Sequence, residues 1–161
     1  MPGFPPAVQH LPISATDFVP AQQGHPYAAQ LIANMQLNPM ERQQVYASVN
    51  EAFNQVNGKW RANNLAAAMS IAYSQAIYTI NATALTNEQT RELVFGFNDA
   101  IAQGPAFAQM SNLEKQNSSD AWIFETAMIT MLRARAMNGD RAAAQQAVAL
   151  SRMVVQKITG Q

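Results

Sequence analysis

Glu125 is the residue whose type and position most suggest chemistry in this sequence. It falls within a predicted helix, where its neighbours three and four positions away are apolar: Ala121, Trp122, Met128 and Ile129. A lone ionised carboxylate on such a surface would be costly. We therefore expect the Glu125 side chain either to pair with an arginine of another helix or to be protonated. The candidate arginines are Arg61, Arg91 and Arg152.

Glu125 has three interpretations. The favoured one is a structural ion pair, the second is a polar anchor in a binding pocket, and the third is a general acid. If a pocket is present, the binding residues that we predict are Tyr73, Gln116, Trp122 and Glu125.

The sequence lacks the motifs of well-known catalytic sites. It contains no Gly-rich phosphate loop, no His-Glu-x-x-His helix and no nucleophile elbow. With no cysteine there is no thiolate nucleophile and no Cys-based zinc site. The nearest metal-like spacing is Glu88 with Glu92, which lacks a histidine and is more typical of a solvated helix start. We predict no catalytic residues, no metal and no cofactor, and we favour a non-enzymatic protein.

The charge content argues against two classes of partner. Charged residues make up 12% of the chain, compared with about 25% in a typical domain, while 13 Asn and 17 Gln supply neutral polar surface. The formal net charge is zero, so no strong field attracts nucleic acid or an anionic membrane. Arg133, Arg135 and Arg141 form a modest basic cluster, which we interpret as a solvated helix end rather than a phosphate site.

The stretch from Asn63 to Ile80 must lie at the centre of the fold. No charged residue occurs between Arg61 and Glu88, and apolar residues cover most faces of the helix that this stretch predicts. Its roughly 16 mostly apolar residues fall short of the ~20 that a bilayer requires. We therefore predict a buried core helix and no stable membrane span.

Capping signals place the other helices around this one. Asn38-Pro39 predicts one helix start and Asn57-Gly58 its end. Thr86 and Ser111 each open a capping box, and Asn138-Gly139-Asp140 predicts a tight turn into a last helix over 141–158. In the helix after Thr86, we expect an apolar stripe to be buried and Asn98 and Asp99 to be solvated. The stripe is Leu93, Val94, Phe97, Ala100 and Ile101.

The predicted fold is therefore an all-α, single-domain bundle of five to six helices around a central apolar helix at about 63–81. Residues 27–161 form the helical domain, and residues 1–26 form an extended, Pro-rich N-terminal arm. The opening Met1-Pro-Gly-Phe-Pro-Pro6 is not a signal peptide, because it lacks a basic start and an apolar run. It is compatible with a mature form in which Met1 replaces a removed signal.

The arm has two interpretations. It holds most of the eight prolines and one charge, Asp17, so it is either a poorly ordered terminus or strap on the bundle, or a segment that docks on a partner. The partner-contact residues of the second interpretation are Phe4, Leu11, Ile13 and Phe18. Both histidines, His10 and His25, lie in the arm, where a fixed catalytic geometry is least expected.

Three motifs together carry a family resemblance. They are Asn63-Asn64-Leu-Ala-Ala-Ala68 at the start of the apolar helix, Pro105-Ala-Phe107 after a helix stop, and Ser111-Asn-Leu-Glu-Lys-Gln116 at the next helix start. The chain resembles, over roughly residues 60–158, an uncharacterised family of bacterial all-α domains usually found behind export signals. That family more often has Asp at the position of Asn64. The resemblance implies a helical fold and a periplasmic or secreted location, with a cytoplasmic one left open, and it implies no mechanism.

Our leading hypothesis is a non-enzymatic bacterial protein that acts through protein contacts, using the arm or a groove beside the central helix. The alternative is a small-molecule or lipid-binding helical protein with an apolar pocket near Glu125. A connected cavity above ~300 Å³ beside Glu125 would favour that alternative. An enzyme of unrecognised type is disfavoured. The protein partner and the oligomeric state stay open.

Overall fold

A computed structural model describes residues 8–160. Across this range the chain forms a 3-10 helix, Ile13–Thr16, and seven α-helices, with no strand. The α-helices are α1 (Pro26–Ala33), α2 (Pro39–Lys59), α3 (Leu65–Asn81), α4 (Asn87–Gln103), α5 (Pro105–Gln109), α6 (Asn112–Met137) and α7 (Arg141–Thr159). The predicted all-α, single-bundle fold is confirmed, although the described range holds seven α-helices where five to six were predicted.

The central helix is α3, as its composition predicts. It packs against α6, α7, α4 and α2, and its buried residues include Leu65, Ile71, Ala72 and Ala76. Small side chains on α3 let neighbouring helices approach closely, and the apolar residues of α2, α6 and α7 fill the space around it.

The predicted helix starts are those of the structure. Asn38 with Glu41, Thr86 with Gln89, and Ser111 with Glu114 each form a complete capping box. Asp140 caps α7 through the backbone N–H of Ala143, after Gly139 adopts a left-handed conformation with φ of 97°.

The prediction that Asn57-Gly58 ends α2 is wrong. The helix continues through both residues to Lys59, and Gly58 has no left-handed conformation. The left-handed residue that precedes α3 is Asn63, with φ of 52°, a conformation that Asn tolerates better than most residues.

The prediction for α4 is also partly wrong. Its expected apolar stripe is only partly buried, Ala100 is exposed, and the fully buried side chain of this helix is Asn98. The helix lies at the edge of the bundle, where it packs against α3, α5 and the 3-10 helix.

Residues 8–25, which we call the strap, precede α1 and lie against the bundle. The strap is not extended throughout, because it includes the 3-10 helix. Its two buried residues are Thr16 and Phe18. The Phe18 amide donates to the Asn63 carbonyl at 2.9 Å, next to an isolated antiparallel bridge between Asp17 and Asn64.

Candidate functional site

Four buried polar side chains hold the strap on the bundle. Asn64, Asn98, Gln116 and Asp120 are at most 3% exposed, and each contacts the strap by a hydrogen bond. Buried polar groups are costly unless they are hydrogen-bonded. The strap therefore supplies the partners that the bundle itself does not provide.

Asn64 joins the start of α3 to the strap. Its Oδ1 accepts from the Ala67 amide at 2.8 Å, which caps the helix. Its Nδ2 donates to the Ile13 carbonyl and to Asp17 Oδ1, both at 2.8 Å. One amide group thus serves as helix cap and as strap anchor, and only an amide offers the acceptor and the two donors that these roles require.

Asn98 anchors the strap to α4. Its Nδ2 donates to the Pro12 carbonyl at 2.8 Å, and its Oδ1 accepts from the Thr16 hydroxyl at 2.7 Å. The expectation that Asn98 is solvated is wrong. The helical pattern marks it as polar, but its partners come from a segment about 85 residues earlier in the chain.

Asp99, the next residue, binds the first part of the strap. Its Oδ1 accepts from the Leu11 amide at 2.8 Å, and its Oδ2 lies 2.6 Å from His10 Nδ1. The Asp99 hydrogen bond raises the pKa of His10, and His10 in turn lowers the pKa of Asp99. The side chain of Asp99 is only one-fifth exposed, so it is not fully solvated as expected.

Asp17 and Arg61 form the exposed ion pair of the strap. Arg61 donates from Nε and Nη2 to the two carboxylate oxygens of Asp17 at 2.7 and 2.6 Å. This two-bond geometry is the strong form of an arginine–carboxylate contact, and the bond from Arg61 lowers the pKa of Asp17. Arg61, a candidate partner of Glu125, is therefore committed to the strap.

The second half of the strap lines a cleft between α2 and α6. Gln116 Oε1 accepts from the amides of Ala21 and Gln22 at 2.9 and 3.0 Å, and its Nε2 donates to the Gln22 carbonyl at 2.9 Å. The cleft has a volume of about 490 Å³. Its apolar wall includes Phe18, Phe53 and Ile123.

His25 and Asp120 form the polar end of this cleft. His25 Nδ1 lies 3.1 Å from Asp120 Oδ1, and the imidazole stacks on Phe53 with ring centroids 3.4 Å apart. The other carboxylate oxygen, Asp120 Oδ2, is buried and has no hydrogen-bond partner among residues 8–160. The cleft is therefore lined by an imidazole and by a carboxylate, one oxygen of which is buried without a hydrogen-bond partner in this part of the chain.

The four predicted binding residues contact different elements of the structure and do not form one site. Gln116 binds the strap, Tyr73 packs edge-on against Phe97 of α4, and Glu125 pairs with Lys157 of α7. Trp122 packs against the apolar residues around α3. The 490 Å³ cleft has Gln116 in its wall but not Tyr73, Trp122 or Glu125.

The Glu125 partner is a lysine rather than one of the expected arginines. Lys157 lies near the C-terminal end of α7, where a cation also suits the helix dipole. The Glu125 side chain is 17% exposed, which agrees with its apolar neighbours in the sequence.

The predicted partner-contact residues also occupy different environments. Phe18 is buried against the bundle, Ile13 is half-buried and Leu11 is exposed. Phe4 lies outside the described residues.

A sequence signal for the cleft exists on α6. Gln116, Asp120, Ile123 and Ala127 follow one another at spacings of four, three and four, and Ser119 lies three positions after Gln116, so the five residues share one helix face. All five are buried. Polar residues that continue an apolar stripe indicate a buried polar contact, although this spacing does not reveal that the strap supplies it.

Two further features of residues 8–160 bear on the class of protein. No group of three or more His, Cys, Asp or Glu side chains is placed to hold a metal ion. None of the helices in this range combines the length and the apolar character that a bilayer crossing needs.

The fold and the site together define an all-α bundle in which a strap held by buried polar side chains lines a cleft. Residues 5–154 match the family of unknown function DUF6683, and the chain belongs to that family. The matched region extends well before residue 60 and includes the whole strap. No curated protein and no solved structure matches the chain.

Proposed function

We propose that the protein is a non-enzymatic binding protein whose cleft holds a small molecule that carries an ammonium group. The observation that supports this proposal is Asp120, a residue that lines the cleft and whose Oδ2 is buried and has no hydrogen-bond partner among residues 8–160. The cleft volume of about 490 Å³ falls within the usual range of small-molecule sites.

The polar groups of the cleft favour a cationic ligand. An ionised carboxylate only accepts hydrogen bonds, so Oδ2 of Asp120 requires a donor. The amide of Gln116 is already committed to the strap. The apolar part of a ligand would contact Phe18, Phe53 and Ile123. The ligand class is therefore a small amine with an apolar part.

The test is a titration with benzylamine and other primary arylalkyl amines, followed by ¹⁵N spectra of the whole protein. We expect saturable shifts at strap amides such as Ala21 and Gln22. Benzyl alcohol, the uncharged analogue, should bind at least about tenfold more weakly because it lacks a charge-assisted hydrogen bond.

Asp120→Asn should weaken amine binding by about tenfold or more, since it removes the charge and keeps the shape. Glu125→Gln is the matched control, because Glu125 is also a mostly buried carboxylate of α6 with one paired and one unpartnered oxygen among the described residues, but it does not line the cleft. Equal binding by Asp120→Asn and the parent would contradict the proposal.

A second candidate function is contact with a protein partner through the strap. It is favoured by Val8 and Val19, which are 77% and 69% exposed although both are large apolar residues. A Val8→Ser/Val19→Ser variant should lose partners that the parent captures from a native extract. Met153→Ser, at an exposed position of α7, should keep them.

We also propose that the protein is bacterial and works in the periplasm or outside the cell. The support is the resemblance of its helix-start motifs to those of exported bacterial domains. Fractionation of the native cells with an antibody against the protein tests this proposal, and recovery in the cytoplasmic fraction alone would contradict it.

A further inference from the structure

A second pocket, separate from the cleft, lies between α3, α4, α6 and the end of α2. Its volume is about 270 Å³. Trp60, Tyr78 and Leu85 form its apolar walls, and Ser74, Thr90 and Arg133 contribute polar groups. None of these residues belongs to the strap.

Arg133 is the charged group of this pocket. Its guanidinium carbon lies 4.6 Å from the centre of the Tyr78 ring, and its Nη1 donates to the Thr79 hydroxyl at 3.3 Å. Within residues 8–160, no carboxylate comes within 4.0 Å of the guanidinium nitrogens. Partial burial lowers the pKa of Arg133. No carboxylate of this part of the chain is close enough to offset the desolvation of the guanidinium.

The basic cluster predicted from the sequence therefore separates in the structure. Arg133 turns toward α3, whereas Arg135 reaches Gln44 of α2 and Arg141 is exposed at the start of α7. Arg133 is not part of a solvated helix end. It is a half-buried cation whose guanidinium makes one side-chain hydrogen bond, to Thr79, among residues 8–160.

Two neighbouring polar atoms of the pocket are buried and have no partner among the described residues, the Ser74 hydroxyl oxygen and Gln75 Oε1. Only the Ser74 hydroxyl bears on an anion, because the amide oxygen of Gln75 accepts hydrogen bonds and does not donate them. Hydroxyl groups of Ser74 and Thr90 can donate to an anion, and the planar guanidinium fork matches the two oxygens of a carboxylate.

We propose that this pocket binds the carboxylate of a small organic monoanion, whose apolar part contacts Trp60, Tyr78 and Leu85. A single arginine balances one negative charge, which favours a carboxylate over a phosphate dianion. This second site is independent of the amine site in the cleft.

The probe is sodium benzoate, titrated into the ¹⁵N-labelled protein at constant ionic strength. We expect saturable shifts at Leu85, Thr90 and the Trp60 indole, and none at the strap amides of Ala21 and Gln22. Benzyl alcohol at the same concentrations should bind at least about tenfold more weakly, because it lacks the negative charge.

Arg133→Gln should weaken benzoate binding by about tenfold or more, since it removes a charge-assisted hydrogen bond. Arg141→Gln is the matched control, because it removes the same charge from an exposed position. If Arg133→Gln does not fold, as judged by its melting curve, Arg133→Lys replaces it. That variant keeps the charge but loses the fork, and it should still bind benzoate several-fold more weakly.

Two results would overturn the proposal. One is an equal affinity for benzoate in Arg133→Gln and in the control Arg141→Gln. The same holds for Arg133→Lys where that variant is used instead. The other is benzoate shifts that do not saturate or that fall outside the pocket.

Discussion

The contact between α3 and its neighbouring helices and the contact between the strap and the bundle bury side chains by different chemistry. Around α3, the completely buried side chains are mainly apolar, including Ala72, Ala76, Ile129 and Val154, with the small hydroxyl groups of Ser70 and Ser151 among them. Under the strap, the completely buried side chains are those of Asn64, Asn98 and Thr16. Burial of apolar surface is non-directional, whereas a hydrogen bond depends on distance and angle. The close-packed core should therefore be most sensitive to added volume or charge, and the strap should be sensitive to the exchange of single atoms.

The first prediction tests the apolar side of this comparison and has the largest expected effect. Ala72→Glu should abolish cooperative unfolding, because an unpaired buried charge costs several kcal/mol of a total stability of about 5–15 kcal/mol. Ala134→Glu, at an exposed position of α6, is the control and should unfold like the parent. Thermal melting followed by circular dichroism measures both. A cooperative Ala72→Glu variant with the parent's melting temperature would show that Ala72 is not in the core.

The second prediction tests the polar side. Asn64→Asp keeps the size and the helix cap but removes the two donors to Ile13 and Asp17 and places a second carboxylate beside Asp17. We expect a loss of about 2 to 4 kcal/mol in the free energy of unfolding.

Asn63→Asp is the matched control for that prediction. It makes the same chemical change at the neighbouring residue, which is exposed, and should change the free energy of unfolding by less than about 0.5 kcal/mol. Urea unfolding compares the two variants. Equal losses would show that the amide of Asn64 has no special role in holding the strap.

The third prediction concerns His10 and Asp99. It has the smallest expected effect on stability, because both residues lie near the surface. The raised pKa of His10 makes its contribution to stability complete below the usual value of 6.5, and the contribution is lost as the pH rises through the raised value. The lowered pKa of Asp99 makes its contribution complete above the usual value of 3.8, and the contribution is lost as the pH falls through the lowered value. The pair should therefore stabilise the fold most between pH 3.8 and 6.5.

Melting temperatures of the parent and of Asp99→Asn across pH 3 to about 9 test this window. The difference between the two proteins should be largest inside the window and should shrink at higher pH. A difference that does not change with pH would mean that Asp99 acts only as an acceptor for the Leu11 amide.

Most of the helical framework could be predicted from the sequence because its signals are local. The capping boxes of Thr86 and Ser111 join residues three positions apart, and the uncharged stretch of α3 is continuous. The error at Gly58 arose because a glycine permits a helix end without requiring one. The structure places the end of α2 one residue later, at Lys59, without a left-handed glycine.

The strap site could not be predicted in the same way. Asn98 and Asp99 have the polarity of solvated helix residues, and their burial depends on Leu11, Pro12 and Thr16, more than 80 positions away. His25 meets Asp120 across a separation of 95 residues. The three- and four-residue spacing on α6 indicates a buried polar face, but no local pattern identifies its partner.

Hydrogen exchange at the amides of Phe18 and Ala21 tests most directly whether the strap is an integral part of the fold. The Phe18 amide donates to the Asn63 carbonyl, and the Ala21 amide donates to the buried side chain of Gln116. If the buried polar side chains hold the strap as described, both amides should exchange about a thousandfold more slowly than in an unstructured peptide. Exchange of both at the peptide rate, while the amides of α3 stay protected, would show that the strap detaches freely and would contradict this account.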